Sequence, residues 1–177
     1  MQYLFIIVII VLALFGGGYL IGQKTNNDIR KENTFADTSS KKSDNQNNFD
    51  SKGEALDLSD QGLTKAPSYI FNITSLKSLN LSSNQLEGAL QAEIRHLSNL
   101  QILDLSDNKF TGVPAEVGQL KNLETLDLSN NLLTGLPYEL GNLPNLKLLD
   151  LSGNKYSEAD LSAIRKNLPL FTIIKTD

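Results

Sequence analysis

The chain repeats itself. NLQILDLSDNKFTGVPAEVGQLK, from Asn99, aligns with NLETLDLSNNLLTGLPYELGNLP, from Asn122, at an offset of 23 residues. SLKSLNLSSNQLEGALQAEIRHLS and EALDLSDQGLTKAPSYIFNIT lie upstream, and NLKLLDLSGNKYSEADLSAIRKNLP lies downstream. One leucine marks the phase at Leu56, Leu79, Leu103, Leu126 and Leu149, in steps of 23, 24, 23 and 23. A unit this short cannot bury its own apolar face. The only economical solution is to stack units so that each covers its neighbour.

Each position then acquires a physical role. In LDLSNN, Leu126 and Leu128 alternate toward one side of a short strand, while Thr125, Asp127 and Ser129 point to the other. Stacking sets equivalent strands about 4.8 Å apart in a parallel sheet and piles the leucines into a continuous core. After each strand the chain must turn, which leaves backbone donors and acceptors without partners. The column Asn84, Asn108, Asn131, Asn154 supplies amides for them; Gln61 stands in this column in the first unit. Leu133, Leu136, Leu140 and Leu143 fill the core from the return path. Pro114 and Pro137 sit where a short helix begins, and Gly118 and Gly141 where it is expected to stop. The second unit inserts one residue in GALQAEI and carries Gln91 in the proline position, which predicts a bulge there.

The common pattern is LxxLxLxxNxL, and in this the chain resembles the leucine-rich repeat family over residues 53–177. The LP and VP pairs at Leu136–Pro137 and Val113–Pro114 look like cytoplasmic and bacterial subclasses. The pieces LTG and ELGNL look like the plant receptor subclass, so no subclass is assigned. The resemblance implies an α/β fold: a right-handed solenoid of about five repeats with a C-terminal cap and short parallel strands on a concave face. At the C-terminal end, Ser157 and Asp160 form a capping-box pattern for a helix over 158–166, with Leu161 and Ile164 inward. FTIIKT follows as a last edge strand, with Phe171 and Ile174 in the places of two motif leucines. At the other end the first unit has Gly53 where its initial leucine belongs and serves as a polar cap, helped by Phe49.

Ahead of the repeats lie two further segments. Residues 1–22 contain no charge from Tyr3 to Gly22, about the length a helix needs to cross a bilayer. They are read as a single-pass anchor. The alternative is a secretory signal with Leu4 to Phe15 as its apolar stretch, but the apolar run continues through Tyr19, Leu20 and Ile21. Lys24, Arg30, Lys31, Lys41 and Lys42 all follow the span, and the positive-inside rule would keep that side cytoplasmic. Short N-terminal apolar segments more often lead the next domain outward, so an extracytoplasmic repeat domain is the reading adopted. Residues 23–52, with Ile29, Phe35, Ala36 and Phe49 as their few apolar side chains, are expected to form a disordered polar linker.

The inventory is poor for catalysis. There is no cysteine and one histidine, His96, so no thiolate site, Cys nucleophile or paired-His metal site is available, and no cofactor is expected. Residues 53–177 carry 10 Lys/Arg against 15 Asp/Glu, which argues against nucleic acid. Asn72-Ile-Thr and Asn80-Leu-Ser match a glycosylation sequon, but both fall inside the repeat framework and are read as coincidence.

The resemblance implies partner binding on the concave sheet face. The candidate residues there fall in three columns. One runs Asp57, Asn80, Asp104, Asp127, Asp150. Ser82, Ser106 and Ser129 lie beside it, and Ile102, Thr125 and Leu148 on its other flank. Neighbouring aspartates about 5 Å apart should repel, raising some of their pKa values or attracting cations. The expected partner is a protein or peptide, basic if the acidic column recruits it. The plainer account is that LDLSxN is the default strand wording of the family. A surface spacer without a ligand and a carbohydrate-binding module are the alternatives, and scarce aromatics on the strand face weigh against the latter.

Overall fold

The computed structural model describes residues 48–177. Each repeat contributes one three-residue strand to a six-stranded parallel sheet. The strands are β1 (Ala55–Asp57), β2 (Ser78–Asn80), β4 (Ile102–Asp104), β6 (Thr125–Asp127), β7 (Leu148–Asp150) and β8 (Ile173–Lys175), paired in that order. The phase-marking leucines lie in register from strand to strand: Leu56, Leu79, Leu103, Leu126, Leu149, then Ile174. These leucines form one buried core cluster with Leu58, Leu81, Leu105, Leu128 and Leu151, and Ile174 packs half-buried against it. The alternating pattern read from LDLSNN is thus realised in every unit.

The asparagine column behaves as expected. Nδ2 of Asn131 donates to the carbonyls of Leu105, Leu128 and Ser129 at 3.0–3.1 Å, and its Oδ1 accepts from the Phe110 N–H at 2.9 Å. Asn84, Asn108 and Asn154 repeat the arrangement in their own units. One side chain closes its own turn and ties it to the preceding unit. The residue ahead of each position of this column, Gln61 included, takes a left-handed conformation, at Asp60, Ser83, Asp107 and Asn130 with φ of 53–55° and at Gly153 with φ of 71°. That conformation reverses the chain out of the strand. Gln61 is exposed, and the amide that bonds the Leu58 carbonyl comes from Asn84 instead.

The return path is tighter than an α-helix. Short 3-10 turns span Ser68–Asn72, Ala92–His96, Ala115–Gln119 and Tyr138–Asn142, with Pro67, Gln91, Pro114 and Pro137 as their N-caps. In the third unit the N–H groups of Val117, Leu120 and Leu123 donate to the carbonyls of Pro114, Val117 and Leu120. Donors three residues apart put apolar side chains at every third position onto one face, the 3-10 period. Gly118 and Gly141 lie inside these turns rather than stopping them. A Cβ on Gly118 would collide with the Glu139 carbonyl, its carbon only 2.6 Å away, so glycine is there to let successive turns close up.

The second and third units carry an additional short parallel sheet, β3 (Glu87–Ala89) with β5 (Lys109–Gly112). Its register shifts between Gly88 and Ala89, inside GALQAEI where a bulge was expected, but the residue passed over is Thr111 of β5 rather than one of the second unit. A second asparagine column, which the sequence reading passed over, runs along the outside. Nδ2 of Asn99, Asn122 and Asn145 donates to the carbonyls of Thr74, Ser98 and Lys121 at 2.8–2.9 Å.

Both ends are closed locally. Ahead of β1, Phe49 forms an antiparallel bridge to Leu56, and the carboxylate of Asp50 accepts from the N–H groups of Glu54 and Ala55. Part of the stretch read as linker, residues 48–52, therefore packs on the first repeat. At the other end, α1 (Glu158–Arg165) buries Leu161 and Ile164. Ser157 accepts from the Asp160 N–H, but the Asp160 carboxylate turns to the Leu136 N–H instead of completing a capping box. Register puts Phe171 in the place of Leu146 as expected, yet Phe171 is 63% exposed, because no further unit stacks against it. Among the described residues no helix is long and apolar enough to cross a membrane; the segment read as an anchor, 1–22, lies outside them, as does most of the linker.

The two asparagine columns should differ sharply in worth. Asn131→Ala leaves the buried Phe110 N–H without its acceptor and takes one donor from each of three carbonyls. Those carbonyls keep Asn108, Asn154 and the Asp107 N–H, so the cost in urea unfolding should be about 2–3 kcal/mol. Asn122→Ala removes one exposed hydrogen bond and should cost about 1 kcal/mol or less. Equal losses would mean that the inner ladder is not what holds the units.

Candidate binding face of the sheet

Alternation along three-residue strands leaves two outward positions per unit, and the parallel register turns them into columns. The first column is Ala55, Ser78, Ile102, Thr125, Leu148, Ile173, and the third-position column is Asp57, Asn80, Asp104, Asp127, Asp150, Lys175. The predicted face residues of these two columns therefore share one sheet, whereas Ser82, Ser106 and Ser129 lie just past the ends of their strands. They differ in availability. Ile102 is 45% exposed and Thr125 and Leu148 are half-buried, whereas Ser106, Ser129 and Asp150 are buried.

The serines are consumed internally. Oδ1 of Asp104 accepts from both the N–H and the hydroxyl of Ser106, at 3.0 and 2.6 Å. Asp57 with Ser59, Asp127 with Ser129 and Asp150 with Ser152 do the same, and Asn80 takes the N–H of Ser82. These contacts close the strand end, so the Ser106 and Ser129 hydroxyls serve the fold more than any partner, while Ser82 contributes only its N–H.

Repulsion along the acidic column was expected to raise carboxyl pKa values. At Asp150 the opposite holds. Burial opposes its charge, but the Ser152 hydroxyl and the Lys175 ammonium, 2.9 Å from Oδ2, more than offset this and hold the carboxyl below its ordinary value of 3.8. The hydrogen bond to Asp150 raises Lys175 above 10.5 in turn. Lys175 was not among the expected face residues. Counting its place from Ile174 would have found it, since that alignment drops a lysine onto the aspartate column.

One flank of the face carries the ion pairs Lys77–Glu54 at 3.0 Å and Lys147–Glu124 at 2.7 Å, each joining neighbouring units. Exposed pairs of this kind add little stability but give the rim an alternating charge. His96 is exposed beside an open groove of about 530 Å³ that Lys65, Phe71 and Glu93 also line, remote in the repeat from the outward strand positions. Among the described residues no group of His, Asp or Glu is arranged to hold a metal ion.

Comparison with known proteins agrees with the architecture. A family model described as leucine rich repeat matches residues 54–110 and 98–155. Receptor-like protein 1 of Arabidopsis thaliana is 47% identical over 58 residues, 32% of this chain and 5% of that one. The structure of the plant peptide hormone receptor RGFR1 in complex with RGF2 superposes with a TM-score of 0.58 at 40% identity, over 68% of this chain and 20% of that one. The BIR3–SERK2 complex from Arabidopsis thaliana gives 0.56 at 32% identity, over 69% and 66%. The chain thus spans about a twentieth of the curated relative and from a fifth to about two thirds of these two solved chains.

The Asp150–Lys175 contact has a measurable sign. A carboxyl held low in the folded state adds stability above its unfolded value near 3.8, and that contribution is lost as pH falls through the folded value. Lys175→Met should raise the Asp150 pKa, read by NMR titration, and shrink the stability gained between strongly acidic pH and pH 5. An unchanged Asp150 titration would show that the ammonium is not what holds it.

Proposed function

The chain belongs to the leucine-rich repeat family, and we propose that it is a non-enzymatic interaction module that binds a protein or peptide through the exposed columns of its sheet. The observation that carries this is the sheet itself: a continuous surface on which outward side chains recur in register from strand to strand. The neighbours support it, since RGFR1 is solved with RGF2 and BIR3 with SERK2. The residues bet on are Ile102, Asp104, Thr125, Asp127 and Leu148, at the middle of the face.

The test is charge reversal at two adjacent rungs. Asp104→Arg with Asp127→Arg should abolish partner cross-linking to the full chain in its native cells, while Glu93→Arg with Glu139→Arg, exposed on the return path, should leave it intact. Loss in both pairs, or in neither, would remove the sheet face as the site.

The same reading places the module outside the membrane, tethered through residues 1–22 and spaced from it by the polar stretch that follows. Its support is the uncharged run from Tyr3 to Gly22 and the likeness to receptor ectodomains. Protease added to intact cells should release a compact fragment starting near residue 48. Full protection until lysis would turn the orientation around.

A further inference from the structure

The two columns of the face are chemically unlike, and this narrows what can lie on them. The first-position column offers apolar side chains at Ile102, Leu148 and Ile173, with Thr125 between the first two. The third-position column offers carboxylates at Asp104 and Asp127. Each uses Oδ1 for its own serine, and Oδ2 makes no hydrogen bond among the described residues. On the last rung the chain fills the equivalent place itself. Lys175, one strand beyond Asp150 in the same column, sets its ammonium 2.9 Å from Asp150 Oδ2 while Ser152 keeps Oδ1. A cation seated one rung along is therefore an arrangement this face already accommodates.

Resting on the sheet-face reading above, we propose that the occupant is an amphipathic helix lying along the axis of the stack. Its apolar stripe covers Ile102 and Leu148, and its lysine or arginine stripe meets Asp104 and Asp127.

Spacing selects a helix over an extended segment. Rungs recur about every 4.8 Å, so Ile102 and Leu148 are about 9.6 Å apart along the axis. A helix rises about 1.5 Å per residue, which puts i and i+7 about 10.5 Å apart and i and i+3 about 4.5 Å apart. Both fit, the first to the apolar pair and the second to adjacent carboxylates. An extended chain returns a side chain to the same side about every 6.6 Å and is out of step by the second rung. Across the sheet, Ile102 and Asp104 are two residues apart on one strand, about 6.6 Å, which suits adjacent stripes on a helix about 10 Å wide.

The experiment uses two synthetic peptides of about 14 residues and one composition of Leu, Lys, Ala and Gln. One carries Leu at i and i+7 and, on the adjacent stripe, Lys at j and j+3, and is held helical by a side-chain bridge; its isomer alternates Leu and Lys. Titrated calorimetrically into the full chain, the helical peptide should bind about tenfold tighter or better. Asp104→Asn with Asp127→Asn should cost it about tenfold, and Ile102→Ser a comparable loss. Lys175→Met, which frees a third carboxylate, should tighten it, and a thermal melt of each variant separates loss of binding from loss of fold. Equal affinity for the two isomers, or helix binding indifferent to the aspartate pair, overturns the helix. If neither peptide binds while the arginine reversals still abolish cross-linking, the helix is likewise excluded and the sheet-face reading stands.

Discussion

Everything in this fold hangs on a carboxamide. A parallel stack must turn after every strand, and the turn exposes carbonyls at one level and an N–H at the next whose hydrogen bonding the backbone alone does not complete. Asn131 answers this with a donor pair spread over the carbonyls of Leu105, Leu128 and Ser129 and an acceptor on the Phe110 N–H. An aspartate could not donate, a serine could not reach, and a leucine would leave buried polar groups costing about 1–3 kcal/mol each. Because the same amide ties its own turn to the unit before, closing the turn and stacking the units are one event. The left-handed residues ahead of the asparagines belong to the same device.

That constraint produces the regularity of the binding face. Once each turn is stitched to its neighbour, strands fall into register and outward side chains must form columns. The strand-end serines then lock the aspartates by one oxygen, so the carboxylates face outward in a set orientation. Leucine burial supplies the bulk of the driving force, at roughly 1.5–3 kcal/mol per side chain. Burial alone is non-directional, and it is the amide ladder that makes one register preferable to the next.

Much of this was legible beforehand because period and phase are properties of sequence alone. The Leu columns, the Asn column, the register shift near Gly88 and the helix around Leu161 and Ile164 were all marked by residue type at a fixed offset. What escaped depended on neighbours in space. The triplet spacing of Val117, Leu120 and Leu123 already had the 3-10 period, but Gly118 looked like a stop signal until the Glu139 carbonyl was seen pressed against it. Phe171 held the right register without the burial that register usually brings. Repulsion along the aspartates was a fair inference from spacing. It failed at Asp150 because the serine contacts and Lys175 change the local charge balance, and serine contacts arise only once the strand end has bent.

In a chain of near-identical units, the departures from the repeat are where specificity can reside. A partner sees the same aspartate and serine wording at every rung, and identical rungs cannot set its register. Asn80 interrupts the acidic column on one side and Lys175 ends it on the other, leaving Asp104 and Asp127 as the adjacent pair of free carboxylates. Ile102 and Leu148, with Ile173 on the last rung, interrupt a column that is otherwise small or polar. The irregular residues of both columns lie on or bracket β4 to β7, whose turns are closed by the Asn108, Asn131 and Asn154 amides. A partner docking there meets side chains whose spacing the backbone has already set, so little is lost to ordering the site.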